Sequence, residues 1–298
     1  LRHGFIICYI AVLKILKGYN MMEHLNGKNA IITGGSRGIG SYIARVFAAE
    51  GINLALVALP GEMDLLNNIS NELQGTGVKV ITIGADITKK ADRETIMKRT
   101  ESELGPIDIL INNVGIEAAA CFIRQDEEVL SRTIDTNLKA PILLTKMILP
   151  GMLKRKAGHV ISLSSLAGKV GTSYQAAYSG TKAGIIKWSA AMRDEFRELG
   201  VSFSVVIPGY VAGAGMLADY REKAGKEYKA PPLLGEVTAE QVAKAVLKAL
   251  QKDRMELIAA PGAMRFFMAL NELFPGIAAK ISGFTGAANL NQEMAEDL

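Results

Sequence analysis

The stretch AIITGGSRGIG, residues 30–40, passes from a short apolar run into a glycine-rich turn and then into a helical pattern. Ala30–Thr33 has the β-branched, apolar character of a buried strand. Gly34, Gly38 and Gly40 follow it, with Ser36, Arg37 and Ile39 between them. Glycines there let the backbone turn tightly and approach a pyrophosphate, whose charge the N–H groups at the next helix N-terminus stabilise. The spacing is T-G-x-x-x-G-x-G rather than the commoner G-x-G-x-x-G, and a tight turn without a ligand is the plainer alternative. The strand before it and the helix after it favour dinucleotide binding.

From Lys28 onward the alternation recurs. Strand candidates are 30–33, 53–58, 79–83, 107–112, 159–164, 202–207 and 255–259, and helical patterns fall near 38–50, 62–73, 89–104, 126–155, 175–199 and 238–252. This order predicts an α/β fold, a doubly wound (Rossmann-type) seven-stranded parallel sheet with helices on both faces. No repeat or linker divides the chain, so residues 21–262 are expected to form one domain although 298 residues leave room for two. Gly209–Gly235, which contains Pro231-Pro232, is the least regular stretch and is expected to be a binding loop or lid.

With 49% hydrophobic and 21% charged residues the chain is globular, which excludes disordered and fibrous classes. The net charge of +4 is too small to argue for a nucleic-acid partner. Three of the 34 basic residues, Arg2, Lys14 and Lys17, fall within residues 1–20 with no acid, so the remainder holds 31 basic against 30 acidic residues. The run Lys154–Lys156 follows a helix, where cations offset the dipole. Cys8 and Cys121 can form neither a disulfide framework nor a Cys-rich zinc site, so no metal is expected and a reducing, cytoplasmic location is favoured. The apolar run Phe5–Leu13 stops at Lys14, short of the roughly 20 residues that span a bilayer, and no small-x-small cleavage pattern follows. Met21-Met22 stands just ahead of the first strand, so residues 1–20 are expected to be an upstream leader that is not native, with a membrane-surface anchor or a packed element as the lesser alternatives.

Tyr178 and Lys182, in YSGTK, are four residues apart and share one helix face. A free phenol titrates near 10, roughly, and a neighbouring ammonium is expected to lower that value, fitting Tyr178 to act as the acid in ketone reduction. Ser165 stands at the C-terminal end of a strand, where a doubly wound sheet has its ligand crevice, and its hydroxyl can bond a carbonyl oxygen. Tyr-x-x-x-Lys alone is more often a packed ring beneath a solvated amine; the glycine turn in the same chain reverses that balance. Ser164 is expected to be a structural strand-end hydroxyl and His159 a loop residue ahead of the strand rather than a base. Tyr174 and Gln175 either line the pocket or pack. At the end of the second strand, Ala58 is followed by Leu59-Pro60, without the acid that bonds the ribose hydroxyls in NAD sites. Arg37 is able to pair with a 2′-phosphate, so NADP (NADPH) is favoured over NAD.

Together these motifs resemble the short-chain dehydrogenase/reductase family over residues 26–262. TGGSRGIG resembles the family's cofactor turn, and Asp86 and Ile87 of ADI its adenine-contacting pair. NNVG, with Asn113 and Gly115, resembles its NNAG segment, and VIPGYV, with Pro208 and Gly209, its loop beside the nicotinamide. The resemblance implies a tetrad of Asn137, Ser165, Tyr178 and Lys182. In the family the Tyr protonates the carbonyl oxygen as hydride arrives from the nicotinamide, the Lys holds the nicotinamide ribose and lowers the Tyr pKa, and the Asn positions a relay water. Two departures stand out: Val114 replaces the usual Ala, and Gly213 lies near the place of a Thr that often bonds the carboxamide, leaving that contact to the Val211 backbone.

The tail, residues 263–298, holds four of the nine Phe residues, and MRFFMALNELF leaves only a narrow polar stripe at Arg265, Ala269 and Glu272. It is expected to pack on the lid or a partner subunit, with peripheral membrane contact as the lesser alternative. The apolar tail and the Met216–Tyr220 loop point to a hydrophobic carbonyl or alcohol substrate of acyl, lipid or steroid-like type. The resemblance further implies a homodimer or homotetramer. An extended-type sugar-nucleotide epimerase is disfavoured by the glycine spacing, and a catalytically idle dinucleotide sensor or scaffold by the intact tetrad.

Overall fold

In a computed structural model, residues 24–297 are described apart from 233, 275 and 277–285. The expected leader lies outside the described residues. β1 (Asn29–Thr33), β2 (Asn53–Ala58), β3 (Val80–Gly84), β4 (Ile109–Asn112), β5 (Gly158–Leu163) and β6 (Val201–Pro208) join a strand at Glu256–Ala259 in one parallel sheet. Along it the order is β3-β2-β1-β4-β5-β6 and then Glu256–Ala259. The direction of winding reverses between β1 and β4, and in open α/β sheets a crevice opens beyond the strand ends at such a point.

Helices cover both faces, so neighbouring strand residues enter opposite cores. Ile32, Leu54, Leu56 and Ile161 pack with α1 (Gly38–Ala49) and α2 (Met63–Leu73). Ile31, Ala55, Val57, Val160 and Phe203 pack on the other side with α3 (Lys90–Glu103). The helical pattern over 126–155 is not one helix. α4 (Glu127–Ile134) and α5 (Ala140–Arg155) are separated by a π-helical turn at Asp135–Lys139. Pro141 explains it: Pro has no N–H to return to the Asn137 carbonyl and its ring crowds that carbonyl, so the helix widens there.

α6 (Ala176–Phe196) follows β5. The irregular stretch 209–235 is more ordered than its sequence suggests. It contains β7 (Tyr210–Ala212) and α7 (Met216–Ala224), and β7 pairs in parallel with β8 (Glu236–Thr238). α8 (Ala239–Gln251) opens on a capping box between Thr238 and Gln241 and leads into β9 (Glu256–Ala259). In the tail lie α9 (Gly262–Leu273) and α10 (Ala287–Glu296). Leu290 and Met294 of α10 pack with Leu217 and Tyr220 of α7.

His159 is not the expected loop residue. It lies inside β5, fully buried, with Nε2 2.7 Å from the Ser204 hydroxyl. Nearby, Arg193 and Asp253 form a buried ion pair at 2.8 Å that ties α6 to the end of α8.

Candidate active site

A cavity of about 580 Å³ opens beyond the C-terminal ends of β1, β4, β5 and β6. At one end lies the glycine turn. Gly34 and Gly38 take positive φ values of 68° and 57°, and a Cβ on Gly40 would stand 1.9 Å from the Gly34 carbonyl oxygen. Only glycine allows α1 to start so close to β1. Its first turn holds no acidic residue, and Arg37, at the cap position, makes no side-chain capping bond. The leading N–H groups therefore suit an anion, and the cradle fits a dinucleotide pyrophosphate. Asn113 fixes the turn by donating from Nδ2 to the Thr33 and Gly34 carbonyls at 2.9 and 3.1 Å.

Of the expected cofactor residues, Gly34, Ser36, Arg37, Gly38, Ile39, Asn113, Gly115, Pro208, Gly209 and Val211 line the cavity. Asp86 and Ile87 are not among its lining residues; Asp86 Oδ1 accepts from both Thr88 N and Oγ1 and closes a local turn. β2 ends at Ala58 without an acid, as its sequence reads, but a carboxylate from further along the chain reaches the same end of the cavity. Glu62, past the turn made by Pro60, accepts from Ser36 Oγ at 2.5 Å and faces Arg37 Nε at 3.5 Å. Arg37 also pairs with Asp219 of α7.

Ser165, Tyr178 and Lys182 all line the same cavity. Ser165 leads from β5 into a short 3-10 turn and accepts from Ala167 N at 3.2 Å. One turn of α6 separates Tyr178 from Lys182, whose Nζ donates to the Leu163 carbonyl at 2.9 Å and lies 5.6 Å from the Tyr178 ring centroid. Ser164 lines the cavity as well, and its hydroxyl donates to the Lys182 carbonyl at 2.8 Å. Asn137 does not line the cavity. Buried in the π turn, it donates from Nδ2 to the Ile116 carbonyl and accepts from Ile116 N, both at 2.8 Å. Its amide clamps the backbone that follows the NNVG segment.

The electrostatics differ from expectation. Burial raises the Tyr178 pKa above the usual phenol value, and Glu117 adds to the rise; the Ser165 hydroxyl works the other way. Burial lowers Lys182 to about 8, with Glu117 opposing. Among the groups that act on Tyr178, the Ser165 hydroxyl is the one that favours the phenolate. Sequence reasoning missed Glu117. It lines the cavity yet lies deep enough for burial to push its carboxyl up to about 8. Gln175 Nε2 donates to Glu117 Oε1, which gives Gln175 a role in the pocket; Tyr174 is not among the lining residues. A glutamate two residues past NNVG carries no pattern of its own.

The roof comes from the segments after β6. Leu217, Tyr220 and Leu234 meet Met264, Phe267 and Met268 of α9 and Asn291 and Met294 of α10 around the opening. The Tyr220 hydroxyl accepts from Ala119 N, holding α7 against the loop after β4.

The family model for short chain dehydrogenases matches residues 28–225, across the glycine turn and the Ser165–Tyr178–Lys182 wall. The chain is a short-chain dehydrogenase/reductase. The ketoacyl reductase HetN of Nostoc sp. is 35% identical over 281 residues, 93% of this chain and 95% of its own length. The oxidoreductase UcpA of Salmonella typhimurium is 37% identical over 191 residues, 64% of this chain and 72% of its own. The 3-oxoacyl-[acyl-carrier-protein] reductase FabG of Staphylococcus epidermidis is 35% identical over 184 residues, 62% and 75%. As a member of this family the chain is an oxidoreductase acting on CH–OH groups with a nicotinamide dinucleotide cofactor. Among the described residues no helix is long and apolar enough to cross a membrane.

Proposed function

We propose that this short-chain dehydrogenase/reductase is an NADPH-dependent reductase of hydrophobic ketones, with 3-oxoacyl compounds as the foremost class. The observation that carries the reading is one cavity lined by Ser165, Tyr178 and Lys182 on one wall and by the glycine turn on another. The substrate carbonyl oxygen lies between the Ser165 and Tyr178 hydroxyls. Tyr178 donates the proton as negative charge develops on that oxygen, and Ser165 stabilises the charge by a hydrogen bond. Lys182 is the adjacent cation that offsets charge left on the phenol. Asn137 acts by holding Ile116 in place.

Gly34, Ser36, Gly38, Ile39 and Gly40 form the pyrophosphate cradle; Asn113, Gly115, Pro208, Gly209 and Val211 flank the inner end, with Asp86 and Ile87 toward the adenine. A bound reduced nicotinamide supplies the hydrogen and electron pair that reach the carbonyl carbon. Preference for NADPH rests on Arg37, which a 2′-phosphate engages in competition with Glu62 and Asp219.

The apolar roof of Leu217, Met264, Phe267 and Met268 supports a hydrophobic substrate, and the ketoacyl reductase name of HetN supports an acyl one. A cytoplasmic homodimer or homotetramer completes the proposal, on the family resemblance. α9 leaves Phe266 and Leu273 more than two thirds exposed, which supports a subunit contact ahead of peripheral contact with a membrane. Following NADPH and NADH oxidation against a panel of 3-oxoacyl esters and simple hydrophobic ketones tests the reading. Turnover with NADPH is expected, and no turnover on any carbonyl overturns it.

A further inference from the structure

Glu117 is the carboxyl that the reductase reading leaves without a task. Three carboxylates line the cavity among the described residues. Glu62 and Asp219 are held by Arg37 beside the glycine turn. Glu117 stands on the catalytic wall instead, within electrostatic reach of Lys182 and Tyr178 on α6, Tyr210 on β7 and Tyr220 on α7.

Its place is fixed from two sides. Asn137 clamps Ile116 through both amide atoms, and Gln175 Nε2 donates to Glu117 Oε1. No other hydrogen bond or ion pair holds the carboxyl among the described residues, so Oε2 is left to the cavity. Burial pushes the group up to about 8, with Lys182 opposing, so it keeps its proton at neutral pH. Since Oε1 accepts the Gln175 N–H, the proton belongs on Oε2 and makes that oxygen a donor.

We propose that Glu117 is a second substrate-binding group, its Oε2–H donating to an acceptor oxygen carried beside the reacting ketone, so that the site selects 3-oxoacyl esters, thioesters or amides over plain ketones. This rests on the ketone-reductase reading and adds a specificity residue to it. A plain ketone leaves this donor unpaired in a desolvated wall, whereas the second carbonyl of a 3-oxoacyl compound satisfies it. A site built around one buried polar group discriminates strongly against the analogue that lacks the partner. Discrimination of about tenfold corresponds to a single hydrogen bond of ordinary strength.

The test measures equilibrium binding, with turnover blocked by Tyr178→Phe in NADPH-loaded protein. Methyl 3-oxobutanoate and 2-hexanone have chains of equal length and differ in the ester oxygens, and their Kd values are obtained by calorimetry at pH 7. The ester is expected to bind about tenfold more tightly. Adding Glu117→Leu brings the two within about twofold, while Glu117→Gln, which still donates through its amide, keeps the preference. Raising the pH through 8 erodes the ester preference in protein carrying Glu117 and leaves the Gln variant unchanged, and this arm needs no apolar substitution in the wall. Equal binding of ester and ketone at pH 7, or a preference untouched by Glu117→Leu, overturns the proposal. The reductase reading fails by a different result, the absence of turnover by the unmodified protein on every carbonyl tried.

Discussion

The Ser36 hydroxyl donates to Glu62 Oε2 at 2.5 Å and ties the glycine turn to the segment beyond β2. The same carboxylate faces Arg37, which also reaches Asp219 on α7. The cation that would receive a 2′-phosphate is therefore shared between two acids, and one of them belongs to the roof of the cavity.

Glu62→Gln is expected to raise the NADPH to NADH ratio of kcat/KM about tenfold, because a 2′-phosphate then meets a less compensated guanidinium. Arg37→Ala lowers the ratio by a similar factor. Each pair is partly exposed and individually weak, so the effect stays modest. Steady-state kinetics with both cofactors checks it; a ratio unmoved by both substitutions removes Arg37 from cofactor selection.

Gly40→Ala places a methyl group 1.9 Å from the Gly34 carbonyl oxygen, a backbone atom that cannot swing aside. Overpacking of this kind costs about 1–3 kcal/mol. Because the strain falls on the pyrophosphate cradle, cofactor affinity is expected to fall more than tenfold, together with a lower Tm. Fluorescence titration with NADPH and thermal denaturation read the two effects separately.

His159 supplies a pH dependence of stability. Desolvation lowers its pKa to about 4, with Asp253 opposing and Arg193 adding to the fall. The unfolded chain binds a proton near pH 6.5 that the folded chain refuses until about pH 4. Stability contributed by keeping His159 neutral is therefore present above 6.5 and lost as the pH falls toward 4. Between pH 7 and pH 5 the loss amounts to about 2 kcal/mol. Urea denaturation at the two pH values should show a drop that His159→Gln reduces by that amount; an identical drop in the variant contradicts the assignment.

The tail is joined to α7 and the stretch that follows it by charge as well as by apolar contact. Lys226 pairs with Glu293 at 2.6 Å and Asp297 at 2.8 Å, and the Tyr228 hydroxyl donates to Asp297 at 2.7 Å. Ending the chain at residue 285 removes α10 and with it Asn291 and Met294 from the cavity wall. KM for a hydrophobic ketone is expected to rise about tenfold while Kd for NADPH stays within twofold. Unchanged KM would show that α10 has no part in the substrate site.

Much of the fold is legible in the chain because both faces of a parallel sheet are buried. β1, β2 and β6 are rich in apolar residues and buried along almost their whole length, and their ends fall within a residue or two of the expected ones. Local patterns hide the rest. The π turn at Asp135–Lys139 is masked because apolar spacing continues through it, and only Pro141 hints at the break. α7 lies between Gly215 and Gly225, both at positive φ, so punctuation that reads as loop in fact bounds a short helix. Ser165, Tyr178 and Lys182 stand in recognisable spacing, whereas Glu62 and Glu117 reach the cavity through tertiary contacts that no local spacing encodes. The rise in the Tyr178 pKa is of the same kind: burial supplies it, and a sequence shows the neighbouring lysine without the depth of the pocket.

The most direct test of the reductase account compares the unmodified protein with Tyr178→Phe, which keeps the ring and removes the hydroxyl, for NADPH oxidation by a 3-oxoacyl ester. General-acid groups contribute about 10²–10⁴ in rate. The account predicts kcat/KM lowered at least a hundredfold with Kd for NADPH unchanged. Turnover by Tyr178→Phe at a rate near that of the unmodified protein would contradict it.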